Sequence, residues 1–189
     1  VSPDGRTHTF KLRRGVLFHN GKEMGAEDVV ASLVRWGKVG SRGAVVFQQV
    51  EAVTAADKYT VVMRLKEPFA PLLAFLALPS SAAAIMPKEI AEATPAGPVT
   101  EFVGTGPYRF VEWLPNRHVK LARWDKYSPR SEPGSLYAGR RDALVDEVIY
   151  YPVGNVATRI AGVQSGDYDL ADSISTDLYA QLKTDTRVS

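Results

Sequence analysis

No cysteine occurs anywhere in the 189 residues. That removes thiol nucleophiles, thiolate metal sites and disulfides together, and it fits a cytosolic chain as well as an exported bacterial one. Histidine is scarce. His8, His19 and His118 are the three present, none has another histidine at metal-ligand spacing, and no H-E-x-x-H occurs. Long apolar runs are missing too. The longest, PFAPLLAFLALP at 68–79, carries three prolines and falls short of the ~20 residues a spanning helix needs. Charge of one sign is not concentrated: the net charge is +2 and no run of five basic residues occurs. A pI near 8.8 leans basic, but the dense positive footprint of a nucleic-acid binder is absent, so no nucleic-acid partner is expected. No internal repeat and no low-complexity tract interrupts the chain.

What is present is ordinary soluble composition. Hydrophobic residues make up 45% and charged residues 23%, enough for a sizeable core in one domain or two small ones. The chain opens at Val1 inside a turn-like Ser2-Pro3-Asp4-Gly5 and stops at Ser189 soon after a helical pattern. A piece of a longer protein is therefore expected, and the lack of a leader says nothing about location.

The stretch TFKLRRGVLFHNG (9–21) alternates like a strand. Phe10 and Leu12 share one face, Arg14-Gly15 interrupts, Val16 and Phe18 resume, and Asn20-Gly21 closes the unit with a tight turn. GAEDVVASLVRWG (25–37) has helical spacing, with Glu27 and Asp28 in the first turn where acids suit the helix dipole. QQVEAVTA and KYTVVMRL read as an antiparallel pair around Ala56-Asp57, the second placing Tyr59, Val61, Met63 and Leu65 on one face. APLLAFLAL and PKEIAEAT read as short helices bracketed or opened by proline. YRFVEWLPNRHVKLARW reads as a hairpin turning at Pro115-Asn116. DEVIYYPV, NVATRIAGVQSG and YDLADS follow in strand–helix–strand order, a βαβ unit implying a parallel sheet, with Asn155 as helix cap. STDLYAQLK reads as a final helix capped by Ser175. A composition shift near residue 100 divides the chain into 1–100 and 101–189. The fold class expected is α/β in the mixed α+β sense.

Catalytic constellations are missing from the pattern. GVQSG (162–166) does not have the G-x-S-x-G spacing and sits at a helix end. GTGPY (104–108) holds a lone G-x-G that precedes a strand, whereas a phosphate-cradling loop follows one and opens a helix. Asp167, Asp169 and Asp172 lack the glycine turn and distal glutamate of a calcium loop. Trp36, Trp113, Trp124 and Tyr150-Tyr151 are aromatic enough to line a pocket, but core or strand surface is their ordinary place. No catalytic residue, metal site or cofactor is assigned.

DGRTHTFKLRRGVLFHNGKEMGAEDVVASLVRW (4–36) resembles the signature region of the family 5 extracellular solute-binding proteins of ABC importers, D-G-x-T-x-T-F-x-L-R-x-G-V-x-F-H-(D/N)-G with a following (T/S)-A-E-D-V. It departs at Gly25, where the family has Ser or Thr as a helix cap; glycine there costs a few tenths of a kcal/mol. VVMRLKEPFAPLLAFLALPSSAAAIMPKE, GTGPYRFVEW and DEVIYYPVGNVATRIAGVQSGDYDLAD resemble further landmarks in family order. An R-N-P-x-Y-W after the hairpin is degraded here to Arg123-Trp124-Asp125-Lys126-Tyr127.

The resemblance implies a periplasmic-binding-protein-like lobe with an extra β-rich subdomain at 1–100 and part of the main first lobe at 101–189. The second lobe of the same chain is then missing, so the fragment holds at most half a site. Implied partners are a small-molecule or peptide solute and an ABC transporter membrane permease, in the periplasm or cell envelope after export. Implied solute contacts are Ala171, Asp172, Ser173 and Ile174, then Ser80, Ser81, Ala82 and Ala83, and Phe47 in the loop after the first helix. In metal-chelate relatives the second segment faces the cleft and can hold an arginine; here it has only small residues, which counts against anionic-chelate recognition there and implies room for a bulkier solute. An intracellular transcription regulator with the same lobe sensing an effector is the alternative, and the segment ahead of Val1 discriminates: an apolar leader for the receptor, a helix-turn-helix for the regulator. A hydrolase is disfavoured by the lack of a triad or metal constellation.

Overall fold

Strand β3 (Thr60–Leu65) organises the first half of the chain. Its alternation buries Val61, Met63 and Leu65 on one face while Arg64 points to solvent. In the computed structural model, which describes residues 1–136 and 138–188, β3 is the middle of a three-stranded antiparallel sheet, β1-β3-β2. β1 (Thr7–Lys11) pairs Thr7 with Arg64 and Lys11 with Thr60. β2 (Val50–Asp57) pairs Val53 with Met63 and carries irregularities at Val50/Ala52 and Ala55/Asp57. The expected β2–β3 pair is thus present.

Only the first part of the 9–18 alternation forms a strand. β1 takes β3 as its partner, because that pairing brings Phe10 against the cluster around Val61 and Met63. Residues 16–18 form a single bridge, Leu17 to Glu23, beyond the left-handed Gly15 (φ 69°). Val16 and Phe18 are nevertheless buried, as their alternation implies. The carboxylate of Glu23 closes this loop. It accepts from Lys58 Nζ at 2.7 Å, Gly15 N–H at 2.8 Å and Tyr59 OH at 2.9 Å. The Lys58 ammonium, then those two donors, hold its pKa down at about 2.

Helix α1 (Ala26–Val39) lays Val29, Leu33 and Trp36 on the sheet. Its cap, Gly25, has no side chain to offer. Instead Asp28 Oδ2 accepts the Gly25 N–H at 2.9 Å, while Oδ1 accepts from Lys22 Nζ at 2.7 Å and from the Lys88 N–H at 2.8 Å. Asp28 is only 3% exposed. Burial pushes its pKa up, but the hydrogen bonds from Lys22, Gly25 and Lys88 outweigh it and hold the group below its ordinary value. One buried carboxylate thereby ties the start of α1 to helix α4 (Lys88–Ala93).

A helix not foreseen in the sequence, α2 (Ser41–Gln49), follows α1 directly. The turn is tight enough that a Cβ at Gly43 would lie 2.1 Å from the Trp36 carbonyl oxygen, and one at Gly37 would lie 2.5 Å from the Phe47 ring. α3 (Leu72–Ala77) buries Leu72 fully, consistent with the proline-bounded apolar run. Each such buried aliphatic side chain contributes about 1.5–3 kcal/mol.

The second sheet has the order β4-β5-β6, from Tyr108–Leu114, His118–Arg123 and Glu147–Tyr150. Asn116 takes the left-handed conformation (φ 59°) at the hairpin turn. α5 (Val156–Ser165) starts at Asn155, whose side chain accepts the Thr158 N–H, as expected. The strand expected at 168–173 is not formed. Extended backbone becomes a strand only by laddering with a neighbour, and among the described residues this segment has none. A 3-10 turn (Thr176–Leu178) capped by Ser175 then leads into a one-turn helix α6 (Tyr179–Leu182).

Two compact units result. One comprises Val1–Val111 with Leu121–Val148, the other Glu112–Lys120 with Ile149–Ser189. Among the described residues, no helix is long and apolar enough to cross a membrane.

Candidate functional site

In the first unit, the α1–α2 corner and the 78–86 segment are sewn together. Trp36, 4% exposed, donates its indole N–H to the Ser81 carbonyl at 2.8 Å. Ser81 is held in the left-handed region (φ 54°), a conformation that persists in a non-glycine residue only when its surroundings over-determine it. Ser41 Oγ lies 3.4 Å from Ser81 Oγ. Arg42 Nη1 donates to the Ser80 carbonyl and, at 2.6 Å, to Ser80 Oγ. Ser80, Ser81 and Ala82 are exposed, whereas Ala83 packs on the core.

The 80–83 segment has small residues of its own, and the guanidinium of Arg42 comes across from α2 to donate to Ser80. One expectation is corrected. Phe47 is not in a loop. It lies on α2, half-buried against the core cluster and filling the gap over Gly37. Sequence reading missed Arg42 because it sits in what looks like a polar linker; the glycines at 40 and 43, spaced for close approach to Trp36, were the available signal.

His19 and the G-x-G stretch explain one another. The Gly104 N–H approaches His19 Nδ1 at 3.3 Å, His19 Nε2 lies 3.1 Å from the Gly106 carbonyl, and the His19 N–H donates to the Gly104 carbonyl. The ring also stands edge-on to Trp124 with centroids 5.7 Å apart. With Nδ1 accepting, the neutral tautomer protonated at Nε2 is the one these partners select. His19 thus ties down Gly104 through both its amide and its carbonyl, and Gly106 through its carbonyl.

In the second unit, Asp172 and Ser173 are exposed while Ala171 and Ile174 are half-buried. With no strand at 168–173, Asp172 and Ser173 lie in a non-laddered segment, with Ser173 left-handed (φ 53°). Arg159 of α5 holds that segment. Its Nη2 donates to the Ser173 carbonyl at 3.1 Å, and its Nη1 to the Val153 and Gly154 carbonyls at 2.6 and 3.2 Å. Its Nε is buried with no acceptor, which costs about 1–3 kcal/mol when uncompensated. Beyond Ser173, Ile174, Ser175, Thr176, Tyr179 and Leu182 line an open groove of ≈ 460 Å³. Its size falls within the range of small-molecule sites. In the same unit, Tyr151 stacks on Tyr168 at 5.9 Å, and His118, hydrogen-bonded to Glu112 at 3.0 Å, meets Tyr151 edge-on. Trp113, Tyr150 and Tyr151 are all more than half exposed, so they are surface aromatics, as sequence reading allowed.

A second hollow of ≈ 280 Å³ runs between α1 and α4, lined by Val30, Val34, Arg35 and Ala91 among others. None of the expected contact residues lies there. Among the described residues, no group of three or more histidines and carboxylates is placed to hold a metal ion.

A family model, the bacterial extracellular solute-binding proteins, family 5 Middle, matches residues 1–189. The chain is 35% identical over 98% of its length to a peptide ABC transporter periplasmic-binding protein, y4tO, of Sinorhizobium fredii. It is 34% identical over 90% of its length to the glutathione-binding protein GsiB of Pectobacterium atrosepticum. It spans about a third of each, 35% and 31%. Among solved structures, AgaA of A. tumefaciens R10 in complex with agropinic acid superposes with a TM-score of 0.82, at 28% identity, over 98% of this chain and 36% of that one. DppA of Helicobacter pylori in complex with the peptide STSA gives 0.78 at 26% identity, over 98% and 38%. With the whole length matched, the chain belongs to the family 5 bacterial extracellular solute-binding proteins.

Proposed function

We propose that the whole protein is the solute-binding component of an ABC importer, taking up a peptide or similarly sized solute in an interlobe cleft and delivering it to a membrane permease. The observation that carries this is the family match across all described elements, joined to a relative named for peptide transport at 35% identity. Relatives named as solute-binding transport proteins also support a non-enzymatic role and a periplasmic or cell-envelope location after export. Two separate sheets support reading 1–100 as the extra subdomain and 101–189 as part of the main lobe.

In this reading Ser80, Ser81 and Ala82, with Arg42 over them, form one contact surface, and Ala171, Asp172, Ser173 and Ile174 form another. Arg42 adds a fork suited to a carboxylate on the solute, since its Nε and Nη2 have no protein acceptor among the described residues. Phe47 and Ala83 act behind the first surface, through packing. Binding proceeds by lobe closure, which buries the solute and presents the closed form to the permease.

Mass spectrometry of the solute released from purified full-length protein tests this, followed by calorimetry with that solute. Recovery of a peptide or peptide-like molecule at near one per protein is expected. Sequence-specific DNA binding by the full-length protein, or turnover of the solute, would overturn it.

A further inference from the structure

Arg159 stands apart as a charge whose partners are all main-chain carbonyls: Val153 and Gly154 on one side, Ser173 on the other. No carboxylate lies within ion-pair distance of it among the described residues. The two segments it joins share a deficit. Neither 152–155 nor 168–174 belongs to a sheet ladder, so their carbonyls need another donor. A planar guanidinium with fixed N–H directions satisfies acceptors on two chain segments at once, which the single point charge of a lysine does not.

Three further features converge on Ser173. It is left-handed without being glycine, Ser175 caps the 3-10 turn two residues on, and Asp172 and Ser173 themselves stay exposed. The Arg159 bond draws the Ser173 carbonyl toward α5 and leaves the neighbouring carboxylate and hydroxyl to solvent. We infer that Arg159 is a positioning residue: its guanidinium fixes the spacing between the 153–154 loop and Ser173, and so presents Asp172 and Ser173 in their contact geometry. This rests on the reading of 171–174 as solute contacts, and the experiment separates the two.

The test uses the full-length protein with Arg159→Lys and Arg159→Gln. Amide hydrogen exchange is followed in peptides covering 151–154 and 171–175, with β3 and α1 as internal controls. Both substitutions are expected to speed exchange in the two segments together, by about 10-fold or more, while the controls stay at the wild-type rate. Unchanged exchange in either segment overturns the positioning role. In a second arm, glutathione serves as the probe in calorimetry. Affinity about 10-fold weaker in Arg159→Lys, with recovery on adding ethylguanidinium to Arg159→Ala, supports positioning over a merely structural loss. Faster exchange with unaltered glutathione affinity leaves the positioning standing and overturns 171–174 as contacts.

Discussion

Arg42 and Gly43 are neighbours with opposite demands. Arg42 needs to reach out over Ser80, and it does so because Gly43 lets α2 start against the Trp36 carbonyl. Gly43→Ala places a methyl 2.1 Å from that oxygen, an overpacking that costs about 1–3 kcal/mol and lowers the melting temperature measured by circular dichroism. Arg42→Ala acts differently. In the full-length protein it is expected to weaken a carboxylate-bearing solute by about 10-fold or more, the worth of a hydrogen bond to a charged group. The corresponding ester loses little. Equal losses for acid and ester in calorimetry would mean that Arg42 serves the α1–α2 corner and not the solute.

At the scale of elements, the junction of α1 with α4 depends on Asp28, which carries three hydrogen bonds while almost wholly buried. Asp28→Ala leaves the Gly25 and Lys88 amides without their acceptor. The expected loss is about 3 kcal/mol, the lower end for a broken buried pair because the Lys22 partner is solvent-facing. The pH dependence has a definite sign. The folded pKa values of Asp28 and Glu23 are both lowered, so their stabilisation is complete above the unfolded values near ~4 and fades as pH falls below them. For Glu23 the window runs down to about 2. Urea melts at pH 7 and pH 3 check this: wild type should lose stability on acidification, and Asp28→Ala should lose less. A larger acid loss in the variant would contradict the assignment.

For the molecule as a whole, the decisive fact is coverage. The chain spans about a third of the relatives it matches, and a two-lobe receptor buries its solute only when both lobes close on it. Halving an interaction of ~8 kcal/mol leaves ~4 kcal/mol, which converts micromolar binding to millimolar. Residues 1–189 alone are therefore expected to bind the solute of the full-length protein no more tightly than the millimolar range. They also expose Leu170 at 79%, Tyr179 at 66% and Tyr150 at 60%, so concentration-dependent self-association is expected in sedimentation experiments. Micromolar binding by 1–189 would place the whole site within it and end the two-lobe reading.

The sequence by itself determined the elements whose signal is local. The alternation of Val61, Met63 and Leu65 marked a buried strand face, Glu27-Asp28 marked the start of α1, and Asn155 and Ser175 marked their caps, because periodicity and capping act within one turn or one strand. The ordered motifs along 4–172 also sufficed for the family. Only the tertiary structure decided which strands pair and which side chains meet. β1 pairs with β3, about 50 positions along the chain, where it completes the core. α2 was hidden because the close approach of Gly40 and Gly43 to Trp36 that starts it is a packing contact, not a local pattern. Residues 168–173 have strand character in the sequence yet form no strand, since a ladder needs a neighbour that composition does not supply. Arg42 over Ser80, and Arg159 between Val153 and Ser173, are contacts across 38 and 14 positions of chain, and side chains that far apart are brought together by the packing of the elements that carry them.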